Sequence, residues 1–467
     1  MKHLAWIVAL GGTLCLGLDG QVKLPSYTRE VLANGTVVYF VQRTALPLVS
    51  FRVVVKGGQE SEPAGMAGLS AATAELLRRG TSGRTANQFA EDLDGLGGSF
   101  LALEDEQSTA IAAEFLKKDF DAGLKMVADA VLHPSFPPEE VRKTLARRGD
   151  GLKAAKDNPN MAITSYYRSF FFGSGHPYGR MADEASIDRI RRDDIVAYHD
   201  RMYVGRNLIV VVAGDFDPAA ARARVAETFG GAPSGDAYRW AADQEPPPNS
   251  SPRVLLIDKP DATQTYFVIG QPGVRRSTAD RVPLTLVNLL FGGRFTSMLN
   301  EALRVHSGLT YGASCRVEMA RLTGGIAIST YTKTETTEKA MDMALDVLKQ
   351  FSERGLTAEQ LASGKASLKG TYPPQHLQTA EQIATTLGEM EIFGLGRDEV
   401  DQFFQRVDAV TLEQANAAAR KYYRNANLTF VILGNAAKIR SVAAKYGPAV
   451  VEKSVKQAGW AANGSIL

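Results

Sequence analysis

The sequence predicts an α+β protein built from two homologous halves that can close as a clamp. Three observations predict it: strand-like and helix-like stretches mix from Tyr27 onward, one segment recurs, and a breaker-rich stretch separates the two copies. In the recurrence, Tyr203-Val204-Gly205-Arg206-Asn207-Leu208 through Gly214 matches Tyr423-Arg424-Asn425-Ala426-Asn427-Leu428 through Gly434, an offset of 427 − 207 = 220 residues. Each copy carries a helical pattern before its tyrosine, a strand after its asparagine, and a second helix after its glycine, at 219–229 and 437–446. A chance match of one strand would not bring flanking elements with it in the same order.

Taken in order, the chain begins with Met1-Lys2-His3, an apolar run from Leu4 to Leu18, and Asp19-Gly20-Gln21. That is the layout of a secretory signal peptide over residues 1–20, and it predicts an exported, periplasmic protein. A buried N-terminal helix or an uncleaved anchor is the alternative, but the run is short for a membrane span and nothing later approaches one. No stable membrane span is expected after cleavage. Cys15 lies in the run, where Gly12-Thr13-Leu14 matches a lipoprotein cleavage box poorly. Without Cys15, Cys315 is alone, which rules out an internal disulfide and a cysteine-based metal site.

The first half-domain is placed at residues 27–231. Residues 37–41 and 48–55 read as strands, set off by Asn34-Gly35 and Pro47. Residues 65–79 read as a helix: Met66, Leu69, Ala72, Leu76 and Leu77 fall at helical spacing, Arg78-Arg79 sit in the last turn, and Gly80 terminates it. Residues 208–213 form a β-branched strand, and Asp217-Pro218 offers an N-cap and first-turn proline for the next helix. Gly230-Gly231-Ala232-Pro233-Ser234-Gly235 and Pro246-Pro247-Pro248-Asn249-Ser250-Ser251-Pro252 lack periodicity, so 232–252 is the linker. The second half-domain follows at 253–451, with 452–467 left as a tail. Each half is about two hundred residues, an ordinary domain size.

Composition is that of a globular protein, 45% apolar and 22% charged. With 53 basic against 51 acidic residues the net charge is +2, which gives no bulk attraction to nucleic acid or an anionic membrane. Nucleic acid is excluded as a partner on that ground.

Gly68-Leu69-Ser70-Ala71-Ala72-Thr73-Ala74-Glu75-Leu76-Leu77-Arg78-Arg79-Gly80-Thr81 resembles the frame of the active helix in the inverzincins, the insulinase and processing-peptidase family of metallopeptidases. The resemblance runs from about Tyr27 to Val451 and implies two metalloprotease-like half-domains. The family carries H-x-x-E-H there: two histidines one helical turn apart bind zinc, and the glutamate serves as base on the metal-bound water. Carried onto this chain, the histidine positions are Ala71 and Glu75 and the base position is Ala74. The third family ligand, a glutamate before an Asp-Asn-Pro-like turn, falls at Gly151, upstream of Asp157-Asn158-Pro159. Asp150 is one position away, which a helix turns by about 100°. The six histidines, His3, His133, His176, His199, His306 and His376, offer no ligand-spaced pair, the closest being 199 − 176 = 23 positions apart. No metal is therefore expected in this chain, and no cofactor.

Other parts of the family pattern remain. Leu96-Gly97-Gly98-Ser99-Phe100-Leu101-Ala102, followed by Ser108-Thr109, resembles the segment whose strand edge pairs with an extended peptide substrate. Gly98, Leu101 and Ala102 are the substrate-binding candidates this implies, with Leu101 where the family usually has asparagine. An ordinary edge strand reads the same way. His176-Pro177-Tyr178-Gly179 matches a family loop that shapes the fold.

In the second half, 290–304 followed by Gly308-Leu309-Thr310-Tyr311 resembles the family's glycine turn, helix and Arg…Tyr pair. The resemblance gives Arg304 and Tyr311 the role of hydrogen-bond donors to substrate carbonyls, the tyrosine also beside the oxyanion. The plain alternative is a surface arginine capping its helix and a core tyrosine. Arg294 and Met298 depart from the family's small residue and arginine.

The reading that follows is a subunit without zinc in a two-chain peptidase. A zinc-bearing homologous partner would supply the metal, and this chain Arg304, Tyr311 and half of a chamber for a peptide substrate. A peptide-binding scaffold without catalysis is the second reading, and an autonomous zinc metalloendopeptidase, disfavoured by the missing ligands, is the third.

Overall fold

The computed structural model describes residues 22–242, 245–246, 249–462 and 465–466. The expected leader at 1–20 and Cys15 lie outside the described residues. The first sheet comprises β1 (Thr28–Val31), β2 (Val37–Gln42), β3 (Leu48–Lys56), β4 (Ser99–Glu104), β5 (Ser108–Leu116) and β6 (Leu208–Gly214), in the order β1-β2-β6-β3-β5-β4. The second comprises β7 (Arg253–Asp258), β8 (Gln264–Pro272), β9 (Ala313–Met319), β10 (Gly324–Lys333), β11 (Thr429–Gly434), β12 (Val450–Ser454) and β13 (Ser465–Ile466), in the order β13-β12-β7-β11-β8-β10-β9.

Five strands correspond: β2-β6-β3-β5-β4 in one sheet and β7-β11-β8-β10-β9 in the other. The first two of each set pair in parallel and the rest antiparallel. The recurring segment is β6 in one half and β11 in the other. Both strands are buried along their whole length. Both faces of each sheet are covered, so these strands read as unbroken apolar runs rather than alternating ones.

The covering is exchanged between halves. The helix Pro159–Phe172 of the first half lays Ala162, Ile163, Tyr166, Tyr167, Phe171 and Phe172 against Leu255, Ile257, Val268, Val431 and Leu433 of the second sheet. Reciprocally, the helix Ala380–Phe393 of the second half lays Ile383, Ala384, Leu387 and Met390 against Tyr39, Val41, Val54, Ile209, Val211 and Ala213 of the first. Neither half buries both of its sheet faces without the other.

Polar contacts cross the same seam. Glu60 accepts from Arg321 Nη2 at 2.6 Å and from the Ala241 amide at 2.8 Å. Arg168 Nη1 donates to both Glu318 oxygens, at 2.8 and 2.9 Å, and its Nη2 to Glu106 at 2.6 Å. Tyr178 Oη accepts from Gln107 at 3.0 Å and from the Leu322 amide at 3.1 Å, so the 176–179 loop does shape the fold. The linker takes part: residues 230–242 contain no helix or strand, yet Tyr238 donates through its amide to Asn207 at 2.6 Å, and Trp240 lies under the Arg321 guanidinium at 4.9 Å.

Three expectations are corrected. The helix expected over 65–79 spans Leu69–Leu76; its start is set by Gly68, which at φ 94 is left-handed and cannot continue a helix backward. The tail expected over 452–467 completes β12 and contributes β13, and Trp460 is buried edge-on against Tyr166. Among the described residues, the helical run Arg281–His306 is long and apolar enough by length and composition to cross a membrane, although the sequence reading found nothing of that kind after the leader. Half of its apolar window is buried, with Leu284, Leu286, Val287, Phe291, Leu299 and Leu303 in the second-half core.

Candidate functional site

The helix Leu69–Leu76 is sunk in the first half, and its start is fixed by a buried carboxylate. Glu62 accepts from the amides of Gly68 at 3.1 Å and Ser70 at 2.8 Å and from Ser70 Oγ at 2.6 Å, satisfying groups that a helix start leaves open. Burial outweighs those bonds and raises its pKa to about 7.

Ala71 and Ala74 on this helix are buried. Glu75 is partly exposed and does not point into free solvent. It accepts from Arg148 Nη1 at 2.9 Å and from Arg147 Nη2, both on the helix Pro138–Ala155 that also carries Gly151. Burial opposes ionisation of Glu75, but hydrogen bonds from Arg148 and Arg147 prevail and hold its carboxyl below the usual carboxylate value. The residues do not fit a zinc ion: two methyl groups, a hydrogen and a carboxylate already held by two cations stand where the family has three ligands and a base. Asp150 is turned outward and pairs with Lys153 at 3.4 Å. Among the described residues no group of three or more His, Cys, Asp or Glu is placed to hold a metal.

Sequence reasoning missed this clasp. Its signal was present, since Arg147 and Arg148 precede Gly151 by four and three residues and so share its face of the helix.

β4 ends its sheet, leaving one edge unpaired. Phe100 is buried and Ala102 packs on the core, while Leu101 and Leu103 are 55% and 57% exposed, the alternation of a strand with one covered face. Gly98 has a packing reason of its own, because a Cβ there would overlap the Phe115 ring.

In the second half, Gly292 permits a close approach, since a Cβ would overlap Cys315. The helix Arg281–Asn288 widens over Leu289–Gly293, breaks, and resumes at Met298–Asn300 before a second widened turn, Glu301–His306. Asn300 ties this segment to β9: its Nδ2 donates to the Phe295 carbonyl at 2.7 Å and its Oδ1 accepts from the Ala313 amide at 3.2 Å. The Arg304 guanidinium stacks on the Phe295 ring at 4.5 Å. Tyr311 is 80% exposed, on a turn braced by Thr330 Oγ1 donating to the Gly312 carbonyl at 2.8 Å. It is no core tyrosine, and Arg304 spends its side chain on an aromatic face rather than on a helix cap.

Among the described residues no hydrogen bond or ion pair joins Arg304 or Tyr311 to the first-half positions. A cavity of about 250 Å³ between the helix Pro159–Phe172 and the second sheet belongs to the seam, and no candidate residue lines it.

The comparisons match this architecture. The insulinase family of M16 peptidases matches residues 37–173, and the M16 peptidase inactive domain matches residues 189–368, together 137 + 180 = 317 of the 467 residues. The chain belongs to the M16 peptidase family. Among M16 relatives, it is 27% identical to an uncharacterized zinc protease of Mycobacterium leprae, over 84% of this chain and 88% of that one. It is 23% identical to a non-peptidase homolog, YmxG, of Helicobacter pylori, over 91% and 98%. Crystal structures of an M16 inactive domain from Pseudomonas fluorescens and of a protease from Helicobacter pylori superpose with TM-scores of 0.79 and 0.81. They are 24% and 17% identical and cover 88% of this chain, with 98% and 100% of their own, which shows the shared fold. The relatives' names divide between protease and non-peptidase. In this M16 chain the ligand positions decide, and they provide no zinc site.

Proposed function

We propose that this chain is the zinc-free subunit of a two-chain M16 peptidase. A homologous partner with an intact H-x-x-E-H supplies the metal. This chain supplies half of the chamber, with Gly98 just before β4 and Leu101 and Ala102 on it pairing the peptide backbone, and Arg304 and Tyr311 donating hydrogen bonds to substrate carbonyl oxygens. The observation that carries the reading is Tyr311: a tyrosine 80% exposed on a braced turn, seven residues after an arginine whose guanidinium lies over the Phe295 ring, is arranged to meet something outside the chain. The leader at 1–20 directs the mature chain to the periplasm, which fractionation tests.

The purified chain is expected to cleave no peptide alone and to restore cleavage when mixed with its partner. R304A with Y311F is expected to lower kcat/KM of the mixture at least about tenfold, the effect of losing a donor used in the transition state. Unchanged kcat/KM would overturn the assignment of these residues. Recovery from native extract with no zinc-bearing relative attached would favour a peptide-binding scaffold, and stoichiometric zinc with chelator-sensitive cleavage by the pure chain would overturn the whole reading.

A further inference from the structure

Two arginines bind the carboxylate that stands at one of the family's ligand positions. Arg147 and Arg148 place two guanidinium cations against the single carboxylate of Glu75. Glu75 takes one nitrogen from each. A guanidinium offers five N–H donors in a planar fork. Among the described residues the remaining donors of Arg148 have no hydrogen-bond partner, and Arg147 adds only Thr144 Oγ1 at 3.4 Å.

The site is accessible and has room. The side chains of Arg147 and Arg148 are 53% and 26% exposed, and a Cβ built at Gly149 or Gly151 on the same helix meets nothing within 4 Å. Partly dehydrated guanidinium donors make the strongest hydrogen bonds to anions. The open edge strand packs against the helix that carries Glu75, and Glu104 at the end of β4 adds a carboxyl within electrostatic reach of Arg148 and Glu75, which burial holds above the usual carboxylate value and so partly neutral.

We infer that the Arg147–Glu75–Arg148 clasp is a carboxylate-binding site, receiving a carboxylate of a peptide laid along β4, either its C-terminus or an acidic side chain. This rests on the edge-strand reading above. Glu75 serves as the internal competitor, holding the two guanidiniums in place while occupying part of each fork. Cleavage chemistry at this position has given way to anion recognition.

The test uses the full-length mature chain and one labelled extended peptide in three forms: C-terminal acid, C-terminal amide, and amide with an internal Glu replaced by Gln. In the unaltered chain a carboxylate form is expected to bind about tenfold more tightly than its neutral counterpart, the usual weight of hydrogen bonds to a charged group. R147Q/R148Q is expected to abolish that difference while leaving binding of the amide form with Gln unchanged, which also reports that the variant is folded. E75Q is expected to widen the difference several-fold, because it releases donors; a merely structural pair would not move in that direction. The acid–amide comparison and the Glu–Gln comparison separate a chain terminus from a side chain. Equal binding of all three forms, a difference that survives R147Q/R148Q, or no widening in E75Q overturns this site and leaves the edge-strand reading standing. No binding of any form overturns both.

Discussion

The same topological insertion, between the second and third strands of each five-strand core in chain order, is closed in the first half and open in the second. Between β3 and β4 the chain buries Ala71 and Ala74, anchors a helix start on buried Glu62, and locks Glu75 between Arg147 and Arg148. Between β8 and β9 it carries Phe295, Arg304, Val305 and Tyr311 at the surface, with Phe295, Val305 and Tyr311 at 64%, 55% and 80% exposure. The difference teaches that loss of metal ligands was absorbed locally, by methyl groups and an ion pair, without loosening the scaffold that presents the other half. Changes on the closed side and at the seam should therefore be read out as stability, and changes on the open side as function.

The largest effect is expected at the seam that both halves share. Glu60 has a fully buried side chain whose cationic partner is Arg321, so R321A strands a buried carboxylate and is expected to cost about 3–5 kcal/mol in denaturant unfolding. A cost below about 1 kcal/mol would mean that the seam is wetter than the contacts imply.

Glu62 sharpens the closed side next. Its folded pKa, about 7, lies above the unfolded value of 4.5, so its contribution is complete below about pH 4.5 and is lost as pH rises through 7. Relative to E62Q, the unaltered chain is expected to lose up to about 3 kcal/mol between those limits. A stability difference that stays constant with pH would break the assignment.

The exchanged helices permit a finer comparison. Val54 lies opposite Ile209 and Gly270 opposite Thr429, and 429 − 209 repeats the offset of 220, so Val54 and Gly270 are equivalent positions. In one seam Gly388 of the helix meets Val54 of the strand; in the other Tyr167 of the helix meets Gly270 of the strand. The bulk has changed sides at constant fit. G270A places a methyl group into the Tyr167 ring and is expected to cost about 1–3 kcal/mol. G388A brings its Cβ to 3.1 Å from Val54 Cγ2, and a helix-propensity gain of about 1 kcal/mol offsets the squeeze, so it is expected to be nearly neutral. Equal thermal shifts in the two variants would dissolve the contrast.

The smallest stability effect is expected on the open side. Y311F should shift unfolding by no more than about 0.5 kcal/mol, since the hydroxyl lies at the surface. A larger loss would make Tyr311 structural and remove the contrast from which the proposal starts.

Much was legible in the chain itself. The repeat at Asn207 and Asn427 marked equivalent core strands because a strand buried on both faces must be apolar throughout, and that composition survives divergence. The empty ligand positions were legible because a metal site demands particular residue types at fixed helical spacing. Helix and tail boundaries were less so: Met66 continued the apolar period, but the left-handed backbone at Gly68 ended the helix, and Trp460 had no local pattern to announce its burial.

By itself the sequence determined the duplication, the family frame and the absence of zinc ligands, all of which follow from residue identity and spacing along one chain. Only the tertiary structure decided that each half covers the other's sheet, that Glu75 is clasped by Arg147 and Arg148, and that Tyr311 is exposed rather than buried. These depend on contacts between residues 72 to more than 200 positions apart, whose side chains meet through packing that no local period encodes.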